Sequence, residues 1–118
     1  MVSIKSKSYG CIWKTMFIMS LGYPKNPTLK DKRMYKKFYD SIAYIIPCVH
    51  CRNFTQTVLM NKLPLDFTNN ETLFESLYIW KDAVNIKLGS KKSPSLRSIR
   101  KKYSKLYANC SNSQNKCI

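Results

Sequence analysis

The residues best suited to chemistry in this chain are its cysteines. Residues 45–54 read IIPCVHCRNF, so Cys48 and Cys51 form a Cys-x-x-Cys pair behind Pro47 and enclose His50, the single histidine. Three readings of such a pair stand open: half of a zinc site, a redox-active dithiol, or two buried thiols. Cys110 and Cys117 form a looser pair near the end of the sequence. Cys11 has no sequence partner and lies in an apolar stretch, where a small buried hydrophobe is the expectation.

A helix beginning at Cys48 or just before it favours the redox reading. Unpaired N–H groups and the positive end of the helix dipole stabilise a thiolate there, and the thiolate is the species that attacks disulfides. Spacing of three residues over a helical turn lets the two sulfurs approach bonding distance. A protonated His50 would depress a thiol pKa further, whereas a plain surface histidine would do nothing. Structural zinc asks for four ligands, usually two compact pairs. Here Cys110 and Cys117 have six residues between them, and His50 is badly placed to join both flanking sulfurs on one metal. No metal site is therefore assigned. A mobile dithiol suits another task, collecting electrons from a substrate and passing them by exchange to Cys48 and Cys51; incidental tail thiols are the plainer alternative. Thiol-to-oxygen transfer then needs a cofactor that takes two electrons and passes them on, and a flavin does this.

The elements that must hold these groups read as helices. Ile12, Trp13, Met16, Phe17 and Met19 recur at helical steps, and LGYPKNPT breaks the pattern. Thr28 with Asp31 caps a second helix striped by Met34, Phe38, Ile42 and Ile45, which Pro47 stops. A third helix starts near Cys48 and carries Cys51, Phe54, Val58 and Leu59 on its apolar side. Thr68 and Glu71 have capping-box spacing before a fourth helix with Leu73, Leu77, Trp80, Val84 and Leu88, ending near Gly89. Ser93-Pro94 opens a fifth, striped by Leu96, Ile99, Tyr103 and Leu106. The fold class is all-α: a compact four-helix bundle with a fifth short helix packed across it. Residues 1–107 form the domain, and 108–118 a flexible tail. Without strand–helix alternation, the cysteine pair is not on a thioredoxin-like scaffold.

Bulk properties bound the rest. At 118 residues the chain supports one domain. CIWKTMFIMSLGY is too short to span a bilayer and is interrupted by Lys14; it also lacks a signal-peptide cleavage site. A whole mature chain in the cytosol, away from membranes, is the expectation, and no general disulfide framework is expected there. Net charge is +15, and the last acidic residue is Asp82. Such basicity suits nucleic acid, an anionic membrane or a phosphate-bearing ligand, or serves only as a solubilising face.

Three segments resemble the ERV/ALR family of FAD-linked sulfhydryl oxidases, especially the short forms encoded by large DNA viruses. Tyr9-Gly10 followed by Trp13 is similar to the family's Trp-Gly-x-x-x-Trp opening, with one residue fewer before Trp13. Pro47 to Cys51 looks like its Pro-Cys-x-x-Cys. VNIKLGS, from Val84 to Ser90, looks like the Val-Asn-x-x-Leu-x-Lys run of its long flavin-binding helix, and Ile99 and Tyr103 match the last helix. The resemblance covers roughly residues 9 to 107. Phe17 and Phe54 stand where most members have histidines, Lys81-Asp82 replaces a His-Asn pair, and Ser95 lies near a missing structural cysteine.

The resemblance implies FAD at one end of the bundle, against Cys51, with Cys48 outward. Gly10, Trp13, Phe17, Phe54, Lys81, Val84, Asn85, Lys87 and Tyr103 fall at cofactor-binding positions. Lys81 would reach a phosphate, Lys87 would act near the ribose or diphosphate, and Trp13 and Trp80 would offer stacking surface; the plainer reading of Asn85 and Lys87 is a solvated helix face. Electrons would pass from protein thiols to Cys110/Cys117, to Cys48/Cys51, to FAD and then to O2, giving H2O2. A homodimer burying the first helices is implied, with Met16, Phe17 and Met19 as interface candidates, and a viral source with action in the host cytoplasm or virion. The rival is a basic nucleic-acid-binding helical module, with or without zinc on its cysteines. No recognisable nucleic-acid motif supports it, so nucleic acid is not favoured as a partner. A helical interaction protein with incidental thiols is the third option.

Overall fold

The structure is a computed structural model that describes residues 2–89 and 93–112, with the backbone alone for 2–9 and 109–112. Among the described residues there are five helices and no strand: α1 (Val2–Leu21), α2 (Leu29–Ile45), α3 (residues 49–62), α4 (Asn70–Lys87) and α5 (Leu96–Asn112). The all-α bundle matches the sequence expectation. The short helix is α3, while α5 has 17 residues and carries helical backbone past residue 107 to Asn112. No described helix is long and apolar enough to cross a membrane.

Local chemistry sets the helix ends. Thr28 Oγ1 accepts from the Asp31 N–H at 3.1 Å, and the Thr28 N–H donates to Asp31 Oδ2 at 2.9 Å, so the expected cap of α2 is a full capping box. The expected Thr68–Glu71 box is not formed. Thr68 spends its N–H and hydroxyl on Asp66 Oδ1, at 2.9 and 2.6 Å. The cap falls one residue later: Asn69 Oδ1 accepts from Thr72 N at 2.9 Å, and Asn69 N donates to Thr72 Oγ1 at 3.0 Å. Ser93-Pro94 likewise does not open α5. Ser95 Oγ accepts from the Ser98 N–H at 3.2 Å, just before the helix begins at Leu96. Gly89, at φ 68°, takes the left-handed conformation that ends α4.

Two stripes are rotated from their expected faces. On α2 the buried residues are Tyr39 and Ala43, whereas Met34 and Ile45 are 54% and 71% exposed. Tyr39 can occupy the interior because its hydroxyl donates to the Met16 carbonyl at 2.8 Å, which satisfies the polar tip. On α1, Met16 and Phe17 are buried but Met19 is 48% exposed. Leu88 is also exposed, because α4 has already ended at Lys87. Cys11 is exposed rather than a buried hydrophobe; it faces a groove shared with the end of α2.

The helices run in directions that give the bundle two distinct ends. Cys11, Ile12 and Thr15 line one groove with Phe38, Ile42, Ile45, Ile46 and Pro47, so α1 and α2 are antiparallel. Along α5, Tyr103 stacks on Phe17 at 5.1 Å between ring centroids. Further on, a Cβ at Gly22 would meet the Tyr107 ring at 3.6 Å, so α5 runs parallel to α1. One end holds Cys48 and the start of α5. The other holds Gly22, Tyr107 and the last turns of α5.

Candidate active site at the Cys48 end of the bundle

Pro47 separates α2 from α3, and Cys48 is the residue that caps α3. Its backbone is extended, at φ −77° and ψ 118°, and its Sγ accepts from the Cys51 N–H at 3.3 Å. That bond is the geometry of a helix N-cap made by sulfur. It places Cys48 Sγ where a negative charge meets an N–H donor and the positive end of the helix. Both cysteines are half-buried and His50 is exposed. Among the described residues no group of three or more metal-ligating side chains is found.

The helix carrying Cys51 is tied down immediately behind it. Thr55 Oγ1 donates to the Cys51 carbonyl at 2.7 Å, and Gln56 Nε2 donates to Ala43 O on α2 at 3.1 Å. Between Thr55 and Leu59 the helix widens to π geometry, with the Met60 N–H reaching the Thr55 carbonyl. Such bulges recur at functional sites because they re-aim side chains without ending the helix.

Two lysines sit over aromatic rings, and one partner of each pair, Lys81 and Phe54, stands where the resembled family has a histidine. Lys81 Nζ lies 5.2 Å from the Trp13 ring centroid, and Lys87 Nζ lies 4.9 Å from that of Phe54. Lys81 is half-buried. Burial, and then the neighbouring Lys102 ammonium, hold its pKa below the usual lysine range. Lys102 in turn lies 5.3 Å from the Tyr103 ring centroid. Phe17 joins the two sides, at 6.2 Å from Trp13 and stacked on Tyr103. An aromatic row thus runs from Trp13 through Phe17 to Tyr103, with an ammonium group at each end.

The row supports more than it presents. Phe17 is 1% and Tyr103 8% exposed, so both hold their neighbours from behind. Trp80 is also closed into the core, donating from Nε1 to the Leu63 carbonyl at 2.6 Å, and offers no stacking face. Trp13 stays half-buried. Val84 packs against the core edge. Gly10 is exposed, and nothing lies within 4 Å of a Cβ placed there. Asn85 is not simply solvated. Its amide donates to Ser93 Oγ at 2.9 Å, and Ser93 Oγ donates to Asp82 Oδ1 at 2.8 Å, fixing the start of α5 against α4.

Sequence reasoning missed Lys102 and Ser93 as members of this end. Lys102 meets Lys81 only through the packing of α5 beside α4. Ser93 read as a helix cap, with no signal for its tie to Asp82. Cys117 lies outside the described residues, as does the side chain of Cys110. The backbone of Cys110 is three residues beyond Tyr107, at the end of the bundle away from Cys48. From the level of Cys11 to that of Gly22, α1 alone rises about 16 Å.

The Erv1/Alr family pattern matches residues 10–108. Over 54 residues the chain is 43% identical to a probable FAD-linked sulfhydryl oxidase of Acanthamoeba polyphaga mimivirus; the match covers 45% of this chain and 36% of that protein. The matched part is thus well under half of that relative's length.

Proposed function

The chain belongs to the Erv1/Alr family, and from that premise we propose that it is an FAD-dependent thiol oxidase. It oxidises a protein dithiol to a disulfide and delivers the two electrons and two protons to O2, giving H2O2. The observation that carries the reading is the sulfur cap of α3, where Cys48 Sγ accepts the Cys51 N–H. A Cys-x-x-Cys pair held at a helix start is suited to thiol–disulfide exchange, because a thiolate on Cys48 is stabilised there. Cys48 is the outer sulfur, which an incoming thiolate attacks while Cys51 leaves; Cys51 is the inner one, toward the cofactor.

The chemistry of the donor set fits FAD. Lys81 is a half-buried ammonium beside a second ammonium, Lys102, and such a pair is relieved by an anion between or beside them. A diphosphate supplies that charge, and Trp13 offers ring surface next to it. Lys87 over Phe54 brings a further cation to the same end. Asn85 and Val84 border the site, and Phe17 and Tyr103 stiffen it from behind. When bound, FAD supplies two-electron acceptance and onward transfer to oxygen.

Cys110 and Cys117 are assigned to collecting electrons from protein substrates. Because the helical backbone at Cys110 lies at the opposite end from Cys48, the exchange is assigned to two copies of the chain. A homodimer formed across the apolar groove of α1 and α2, which contains Ile12, Phe38, Ile42 and Ile45, provides it. Of the expected interface residues, Met16 and Phe17 are buried within the chain itself, and Met19 remains on the surface. Action in a host cytoplasm or virion belongs to the same proposal.

The test is turnover. Purified, FAD-loaded chain should consume one O2 and release one H2O2 per dithiothreitol oxidised. A Cys110→Ala, Cys117→Ala double variant should keep that rate and lose activity on protein substrates. Unchanged protein oxidation would remove the tail from the pathway, and absence of dithiothreitol oxidation would remove the oxidase reading itself.

A further inference from the structure

One face of α5 has no role in packing or in the site. Leu96, Ile99, Tyr103 and Leu106 turn inward, while Arg97, Lys101 and Lys105, at successive steps of four, are all exposed. These three cations fall within eight helical steps, about 12 Å of axis. No acidic residue follows Asp82 anywhere in the sequence. The ion pairs found among the described residues, Lys36–Asp40 and Arg100–Glu75, leave the row out. A helix face carrying only one sign of charge concentrates oppositely charged partners and raises their association rate. Its position matters as much as its charge. Lys105 precedes Cys110 by five residues on the same helix, about 7 Å of rise.

We propose that the exposed row Arg97, Lys101 and Lys105 on α5 is a docking surface for acidic protein substrates, recruiting polypeptides whose thiols lie among Asp and Glu residues to the helix that carries Cys110. The proposal rests on the thiol-oxidase reading and names the substrate class for it. Recognition is by charge: flexible lysine and arginine side chains meet carboxylates without fixed register, so many acidic sequences are accepted. Binding of this kind weakens steeply with salt, since exposed charges are screened beyond about 8 Å at physiological ionic strength. A single-stranded nucleic acid is disfavoured because no exposed aromatic side chain stands on this face of α5 to stack on bases. An acidic protein is favoured over a duplex because the row lies on the helix that carries Cys110, where a thiol substrate must arrive.

The test separates docking from chemistry. A fluorescent acidic peptide with its cysteines replaced by serine measures binding alone, by anisotropy, on the full FAD-loaded chain. Its dithiol counterpart, and a version with Gln and Asn for Glu and Asp, measure turnover. At low salt the acidic dithiol peptide should show at least tenfold higher kcat/KM than the neutral one, and the advantage should vanish at about 0.5 M salt. The triple variant Arg97→Gln, Lys101→Gln, Lys105→Gln should lose binding of the serine peptide and lose the preference, with dithiothreitol oxidation unchanged. Equal kcat/KM for the two peptides in the unaltered chain overturns the proposal, as does binding that survives the triple variant. A DNA duplex that binds this row while the acidic peptide fails to displace it overturns it in favour of nucleic acid. The serine-peptide arm reads docking even if oxidase turnover fails, so loss of dithiothreitol oxidation counts against the enzyme reading alone.

Discussion

Cys51 gives its backbone N–H to the sulfur of Cys48 at 3.3 Å, so the first cysteine of the pair caps the helix on which the second one sits. The two sulfurs are thereby unequal before any cofactor or substrate is considered. Negative charge on Cys48 gains an N–H donor and the helix dipole. Cys51, one turn in, is anchored instead through its carbonyl to Thr55.

That inequality gives the first prediction. Cys48→Ser and Cys51→Ser should each reduce dithiothreitol oxidation to background, but by different routes. With Cys48 retained, the Cys51→Ser variant should be trapped by a disulfide reagent faster than a free thiol at the same pH, reflecting a stabilised thiolate. With Cys51 retained, the Cys48→Ser variant should react more slowly at the same pH. Equal reaction rates, followed by thiol alkylation and mass spectrometry, would contradict the cap.

Lys81 should leave a signature in pH-dependent stability. Its folded pKa is lowered, by burial first and Lys102 second. Between that lowered value and about 10.4 the unfolded chain binds more protons than the folded one, so stability of the FAD-free chain should rise with pH across this window. Lys81→Met should flatten the rise. Pyrophosphate should raise the Tm of the unaltered chain and not of the variant. Identical pH profiles for both chains in thermal unfolding would remove Lys81 as a desolvated ammonium.

Tyr39 works with the opposite sign. Burial pushes its phenol above the ordinary tyrosine range, with Tyr35 adding to the shift, and its hydroxyl donates to Met16 O. The stability it contributes is fully present below about pH 10 and is lost as pH rises beyond that. Tyr39→Phe should cost about 1–2 kcal/mol at neutral pH. In urea titrations the gap between the two chains should shrink above pH 10. A constant gap would contradict it.

Helix α4 distinguishes two adjacent caps. Asn69→Ala should cost about 1 kcal/mol in urea unfolding. Thr68→Ala, which loses only the exposed hydroxyl bond to Asp66 Oδ1 and keeps the backbone one, should cost less, about 0.5 kcal/mol. The reverse order would restore the Thr68–Glu71 box that the sequence suggests.

That box shows where the sequence was legible and where it was not. Helix number, the Thr28 cap, the Gly89 stop and the start of α3 at Cys48 all follow from local chemistry, and local chemistry is written in neighbouring residues. The face each helix buries is not local. α2 carries apolar residues at Met34 and Ile45, yet it turns Tyr39 inward because Met16 O, 23 residues earlier, accepts its hydroxyl. Thr68 was drawn from its cap by Asp66, two residues before it. At the site, spacing alone identified Cys48 and Cys51, and the resemblance singled out Lys81 and Lys87. The rings beneath those lysines, the approach of Lys102, and the placing of Cys110 at the far end depend on how α1, α4 and α5 pack.

The most direct measurement is the absorption spectrum of the purified chain. Flavin bands near about 450 nm that bleach anaerobically with dithiothreitol, and return on admitting oxygen, are the expected result. The Cys51→Ser variant should keep the bands and fail to bleach. A colourless chain holding stoichiometric zinc, or a flavin that dithiothreitol bleaches equally well without Cys51, would contradict the thiol-oxidase assignment.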